Sequence, residues 1–135
     1  MTVIPARLSP SLLALLRIVS GLLFLEHGLV KLIGFPAGAM PGPQPLVGLL
    51  GLAGVIELVT GVFIALGLFT GPAAILASGE MAFAYWTAHA PRSPFPAVNG
   101  GDAAILFCFL FLYLAAAGPG AWSLDARRAG IAARA

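Results

Sequence analysis

The sequence predicts an all-α membrane protein, a polytopic four-helix bundle with both termini on the cytoplasmic side. Three observations predict it. Hydrophobic residues make up 60% of the 135 and charged residues only 9%, with a mean hydropathy of +1.02, far outside the soluble globular range. Long apolar stretches alternate with short segments dense in proline and glycine. The cations of those segments collect on one side: Arg7 before the first helix and Arg127, Arg128 and Arg134 after the last, against a lone Arg92 in the loops of the other side. The length suits one domain over residues 1–135.

The first helix is predicted over residues 11–35, with Ser9 or Ser11 as N-cap and the Gly34, Pro36, Gly38 cluster ending it. Arg7 and the apolar run from Leu12 to Leu16 resemble the start of a signal peptide. Arg17 breaks that run and no A-x-A site follows soon after, so a retained spanning helix is expected. Its most informative stretch is LLFLEHGLVKLIGF, residues 22–35, in which Glu26, His27 and Lys31 interrupt hydrocarbon-like sequence. An ionisable side chain at the bilayer centre costs about 3 kcal/mol even on mild insertion scales, so these three need partners, water or a task. At about 100° per residue, Arg17, Ser20, Gly21, Phe24, His27, Gly28 and Lys31 share one broad face and Glu26 lies roughly opposite.

Residues 35–45, FPAGAMPGPQP, cannot be helical and are expected at the outer membrane interface. The second helix is predicted over residues 46–68, where Gly48, Gly51, Gly54 and Gly61 allow a neighbouring backbone to approach closely. Ala53, Glu57, Gly61 and Ala65 recur at i+4 and make a small-residue packing face. The connection GLFTG, residues 67–71, makes the second and third helices antiparallel neighbours. The third helix is predicted over residues 72–90, with Pro72 in its first turn and Ala73, Ala77, Glu80, Ala84 and Thr87 on a narrow face. After the loop PRSPFPAVNGG the fourth helix is predicted over residues 102–117, opening on Asp102 at the positive end of its dipole. Its Phe107, Phe109, Phe111 and Tyr113 are lipid-facing or packed. Counting about 1.5 Å per residue, Arg17, Glu57 and Glu80 fall between the inner quarter and the mid-plane. Glu26, His27, Lys31, His89, Asn99 and Asp102 fall in the outer half.

Several function classes are excluded. The basic residues are scattered singly apart from Arg127 and Arg128, so no phosphate-tracking stripe for nucleic acid exists. The single cysteine, Cys108, forms no internal disulfide and no C-x-x-C pair, and reads as core packing. Any redox work therefore needs a cofactor or a partner to carry electrons.

In four places the chain resembles the DoxX family of small four-helix membrane proteins. These are R-x-x-x-G-L-L-F at residues 17–24, H-G-x-x-K at 27–31, E-L-x-x-G at 57–61 with G-L-F-T at 67–70, and G-P-G-x-x-S-L-D at 118–125. The likeness runs from about Arg17 to Asp125. It implies quinone or thiol redox work in the bacterial cytoplasmic (inner) membrane, as a quinone-interacting subunit or accessory beside a redox partner protein. Beside the thiosulfate:quinone oxidoreductase subunits that the resembled family includes, the chain is expected to be a minimal version, lacking an extra domain that could hold a thiosulfate site.

The residues themselves leave alternatives open. Arg17 with Glu57 or Glu80 suits a quinone headgroup, the cation donating to an oxygen and a carboxylate relaying the proton; it equally suits a structural ion-pair network. His27 and Lys31, one turn apart, suit an anion or a quinone carbonyl, or a pair capped by Asp102 or a loop carbonyl. Glu57 and Glu80 are the candidate catalytic carboxylates, and Arg17, His27, Lys31, Glu57 and Glu80 the candidate ligand-binding set. A bis-histidine haem on His27 and His89 is disfavoured because His89 stands at a helix end. No metal motif is present. Tyr85 and Trp86 fit an interfacial aromatic belt. A scaffold protein and a small proton-coupled exporter are the rival readings. Glu26, turned away from Arg17, together with the glycines of the second helix leaves room for a homodimer.

Overall fold

The computed structural model describes residues 3–132; Arg134, one of the orienting cations, lies outside them. The described residues are all-helical, and most element ends carry a visible local cause. A 3-10 turn, Ala6–Leu8, leads into α1, Ser9–Ile33. That helix stops two residues before the expected end because Gly34 turns left-handed at φ 71°. The Gly34 N–H then donates to the Val30 carbonyl at 3.1 Å and the Phe35 N–H to Leu29 at 3.4 Å, which closes the last turn. α2, Leu49–Leu66, begins later than expected. Gly48 is extended, and the Pro45 carbonyl and Leu46 lie directly over the bare backbone of Gly51, so residues 46–48 wrap the first turn instead of joining it.

α2 ends on Gly67 at φ 66°, with Gly67 N–H donating to Ile64 at 3.0 Å and Leu68 N–H to Phe63 at 2.9 Å. α3, Thr70–Ala84, runs on into a single π turn, Tyr85–His89, and a 3-10 turn, Ala90–Arg92. A one-turn helix, α4 (Pro96–Asn99), sits within the second proline-rich loop, and α5 spans Asp102–Ala117, the expected bounds. Beyond it α6, Leu124–Ala132, was not anticipated from the sequence. The Ser123 hydroxyl starts it by accepting from the Ala126 N–H at 3.1 Å.

α1 and α2 are antiparallel and in backbone contact. A Cβ added at Gly21 would fall 2.6 Å from the Ala65 nitrogen, one at Gly28 2.6 Å from the Leu58 nitrogen, and one at Gly61 2.6 Å from the Leu25 nitrogen. α3 lies along α5, where Ala77, Met81, Phe111 and Leu114 are buried and the Ser78 hydroxyl donates to the Cys108 carbonyl at 2.8 Å. α1 meets α5 through rings: Phe24 stands edge-on to Phe111 with centroids 4.8 Å apart and tilted to Phe107 at 5.6 Å. Phe109 and Tyr113, on the far side of α5, are exposed.

Two helical stretches, Ala6–Ile33 and Leu49–Leu66, are long and apolar enough to cross a membrane, and α5 is a shorter apolar helix. The surface of α1 agrees. Leu12, Leu15, Val19, Leu22 and Leu23 are exposed while Arg17, Ser20, Gly21 and Gly28 are buried. Polar groups inward and leucines outward is the arrangement a bilayer selects and water does not.

A candidate lipid-facing groove and its charged floor

Gly54 leaves room beside it for the Lys31 side chain, whose Cβ lies 2.9 Å from where a glycine Cβ would stand. Lys31 thereby reaches across from the last turns of α1 to α2 and donates to both carboxylate oxygens of Glu57, which is 1% exposed. This pair was not expected from residue counting, which put Lys31 in the outer half and Glu57 deeper. The later start of α2, three residues on at about 1.5 Å each, brings Glu57 closer to the loop end of the helix.

Glu80, from α3, feels the charges of both Glu57 and Lys31. One of its oxygens, Oε2, is the buried side-chain polar atom without a hydrogen-bond partner among the described residues. The same residue lines a groove of about 540 Å³ between α2 and α3, walled mostly by apolar groups such as Leu52, Ile56, Leu76 and Phe83, with Gly79 and Thr87 also lining it. That volume lies within the roughly 300–1,000 Å³ of small-molecule sites. The groove is thus a mostly apolar slot with one carboxyl group in its lining.

His27 does not enter this groove. It stands edge-on to Phe107 at 6.0 Å, and its Nδ1 lies 2.8 Å from the Leu23 carbonyl; a carbonyl only accepts, so Nδ1–H is the donor. With Glu26, Val30 and Lys31, and with Ala39, Met40 and Pro41 of the overlying loop, His27 lines a second pocket of about 160 Å³. Glu26 therefore shares a pocket with His27 and Lys31 rather than meeting a separate neighbour as the helical projection suggested. Lys31 lines this second pocket while its ammonium group holds Glu57. His89 is elsewhere, its Nδ1 3.1 Å from the Asn99 carbonyl and its ring stacked on Tyr85.

Arg17 is not brought to this cluster. Fully buried, it donates through Nε to Pro119 at 2.8 Å, through Nη1 to Ile64 at 2.8 Å and Ala65 at 2.6 Å, and through Nη2 to Ala121 at 3.3 Å and Trp122 at 3.0 Å. A guanidinium has five N–H donors and all are engaged by carbonyls, which leaves none for a ligand. The expected pairing of Arg17 with Glu57 or Glu80 is corrected: fourteen residues of α1, about 21 Å, separate Arg17 from Lys31. Beside it Asp125 accepts from the Phe69 N–H at 2.9 Å, the Thr70 N–H at 2.9 Å and the Thr70 hydroxyl at 3.0 Å, capping α3. Partial burial works to raise the Asp125 pKa, but the Thr70 and Phe69 hydrogen bonds and nearby Arg128 outweigh it and hold the carboxyl below its ordinary value.

The groove walls were missed by sequence reasoning, because Leu52, Ile56, Leu76 and Phe83 look like any lipid-facing residues until two helices are placed side by side. Glu80 next to Gly79 was the one usable signal.

The comparisons with known proteins follow the same lines. An uncharacterized protein of Haemophilus influenzae is 45% identical over 121 residues, which cover 86% of this chain and 90% of that one. No solved structure matches the chain. The family model of DoxX matches residues 12–90, from the first turns of α1 to the end of the π turn, and so takes in Arg17, the Lys31–Glu57 pair and Glu80. The chain belongs to the DoxX family of membrane proteins.

Proposed function

We propose that the protein is a multi-pass, four-helix protein of the bacterial cytoplasmic membrane, a single DoxX domain with both termini cytoplasmic. In this reading it serves a membrane redox system as a quinone-interacting subunit or accessory. One observation carries the reading: the α2–α3 groove is apolar but for Thr87, whose hydroxyl is spent on the Phe83 carbonyl, and Glu80, whose Oε2 is buried without a partner among the described residues. A purely structural network would satisfy its own polar atoms. A quinone, when bound, supplies the electron chemistry. The chain supplies apolar walls for ring and tail, a carboxyl group that can hydrogen-bond a ring oxygen or exchange its proton, and the Lys31–Glu57 pair as the nearest charge. Arg17 has no part in this site.

A lone carboxyl group in a lipid-facing slot also suits a lipophilic cation, the ligand of the exporter reading. Thermal unfolding of the detergent-purified protein separates the two. A redox-inert quinone analogue is expected to stabilise the wild type, to lose its effect in Leu76→Trp, which fills the slot, and to keep it in His27→Ala. Saturation at about 100 times Kd would add roughly 2.7 kcal/mol. A shift in Leu76→Trp equal to that of the wild type would refute the groove as the site. Stabilisation by a tetraphenyl cation that disappears in Glu80→Gln, with none by the quinone analogue, would favour the exporter; no stabilisation by either would favour a scaffold.

A further inference from the structure

Left-handed backbone is the province of glycine, and two positions in this chain break that rule. Among the described residues seven glycines take a positive φ; the two other residues that do are Phe69, at 48°, and Trp122, at 51°. A bulky side chain there is an outlier, and glycine or asparagine would take the same backbone with less strain. Both positions belong to the junction around Arg17 and Asp125. The Phe69 N–H donates to Asp125 at 2.9 Å, and the Trp122 carbonyl accepts from Arg17 Nη2 at 3.0 Å. The junction fixes both backbones but explains neither ring. Phe69 is 50% exposed and Trp122 69%, so packing within the protein accounts for part of the first and little of the second.

The exposed charge around these rings has one sign. Arg128 sits over the Phe69 ring, 5.1 Å from its centroid, with Arg127 beside it on α6, and both arginines are exposed. The Ala121 N–H donates to the Pro10 carbonyl at 3.0 Å, which brings the N-terminal turn carrying Arg7 to the same end of the molecule. The Asp125 carboxylate, also at that end, is taken up by the cap of α3. On the other side of the Phe69 ring the surface is hydrocarbon: Phe63 is tilted against it with centroids 6.1 Å apart, and Leu66, three residues earlier at the end of α2, is exposed. Leucine, then ring, then guanidinium is the order of a phospholipid read from acyl chain to phosphate.

We propose that Phe69, Trp122, Arg127 and Arg128 form a seat for an anionic phospholipid, with Arg7 adding to its positive charge. The seat is separate from the α2–α3 groove and stands whatever that groove holds. Trp122 belongs in the interfacial layer of a bilayer, where an indole satisfies its apolar face and its N–H together. Phe69 packs against an acyl chain and keeps Arg128 above it. Guanidinium groups grip a phosphate through paired N–H donors, and clustered cations at the membrane surface favour headgroups of net negative charge over zwitterionic ones, which bring a cation of their own. A soluble anion lacks the chain that the ring and Leu66 accommodate. An acidic protein segment suits the arginines but not the hydrocarbon beside them.

Brominated lipids test the seat, because bromine on an acyl chain quenches a tryptophan that it touches. In Trp86→Phe the remaining tryptophan is Trp122. Dibromo-phosphatidylglycerol, titrated into that protein in a neutral detergent, is expected to quench Trp122 at lower concentration than dibromo-phosphatidylcholine. Each arginine near an anionic surface is worth a factor of about five in binding, so Arg128→Gln should lower the preference for phosphatidylglycerol about fivefold. Arg92→Gln, at the opposite end, should leave it unchanged; both arginines are exposed, so neither variant is expected to fail in folding. Phe69→Asn keeps the left-handed backbone, removes the ring and should lose the preference as well. Glycerol phosphate, a headgroup without chains, should not displace the brominated lipid. Equal quenching by the two lipids would overturn the seat and leave the arginines to an acidic protein partner. A preference intact in Arg128→Gln or in Phe69→Asn would overturn it too, and displacement by glycerol phosphate would replace it with a plain anion site.

Discussion

Arg17 shows how far a single residue can be read and where reading stops. That a guanidinium in the middle of an apolar helix needs partners follows from its desolvation cost alone. Which partners it takes does not, since they are backbone carbonyls, and every residue has one. Ile64 and Ala65 offer theirs because they end α2, where the last carbonyls have no intrahelical donor; Pro119, Ala121 and Trp122 offer theirs because a turn does the same. A carboxylate seemed the natural counter-ion only because side chains are what a sequence displays. Arg17→Leu is therefore expected to lose at least about 3 kcal/mol, from charge-assisted hydrogen bonds given up and carbonyls left buried. Arg92→Leu, on an exposed turn, should stay within about 0.5 kcal/mol of wild type. Equal melting temperatures for the two variants in one detergent would contradict this account. Lys31, by contrast, does reach a carboxylate, and the polar character of Lys31, Glu57 and Glu80 was legible as soon as they were seen to interrupt hydrocarbon.

Among the elements, the ends set by local chemistry were the most readable. Gly34 and Gly67 stand where α1 and α2 stop, and α5 has its expected bounds. The start of α3 was less readable, because its cap is not local. Asp125 reaches Phe69 and Thr70 from the foot of α6, so the helix begins at Thr70 and not at Pro72. The G-L-F-T and S-L-D motifs, distant in sequence, are two halves of that contact, and the Asp125 N–H returns a bond to the Gly67 carbonyl at 2.9 Å. The cap predicts a pH dependence. Because the folded-state pKa of Asp125 lies below its unfolded value of about 3.9, its stabilisation is complete above that value and is lost as pH falls through the folded one. Asp125→Asn should cost about 0.5–2 kcal/mol near neutral pH, the usual range for a lost cap. The gap between its unfolding midpoint and that of the wild type should close below about pH 4. A gap that stays constant into acid would mean that the charge contributes nothing to the cap.

For the molecule as a whole, alternating apolar segments and loops were plain in the sequence, while the way each segment attains its length was not. α1 and α2 reach spanning length as regular helices, but α3 does so only with the π turn at Tyr85–His89, and α5, sixteen residues or about 24 Å, falls short of the hydrocarbon thickness. The antiparallel alternation of α1, α2, α3 and α5 nonetheless puts the 34–48 and 90–101 loops at one end of the molecule. The N-terminal turn, the α2–α3 connection and α6 lie at the other, joined there by Arg17 and Asp125. Arg7, Arg127 and Arg128 belong to that second end, and the excess of cations marks it as cytoplasmic in the proposed topology. With Cys108 replaced by alanine, single cysteines at Ser93, in the second loop, and at Ala129, exposed on α6, probe the two ends. An impermeant maleimide added to intact cells should label Ser93→Cys, and should reach Ala129→Cys only after the membrane is opened. Labelling of Ala129→Cys from outside would invert the topology. It would also turn the pocket of His27 and Lys31, beneath the 39–41 loop, toward the cytoplasm.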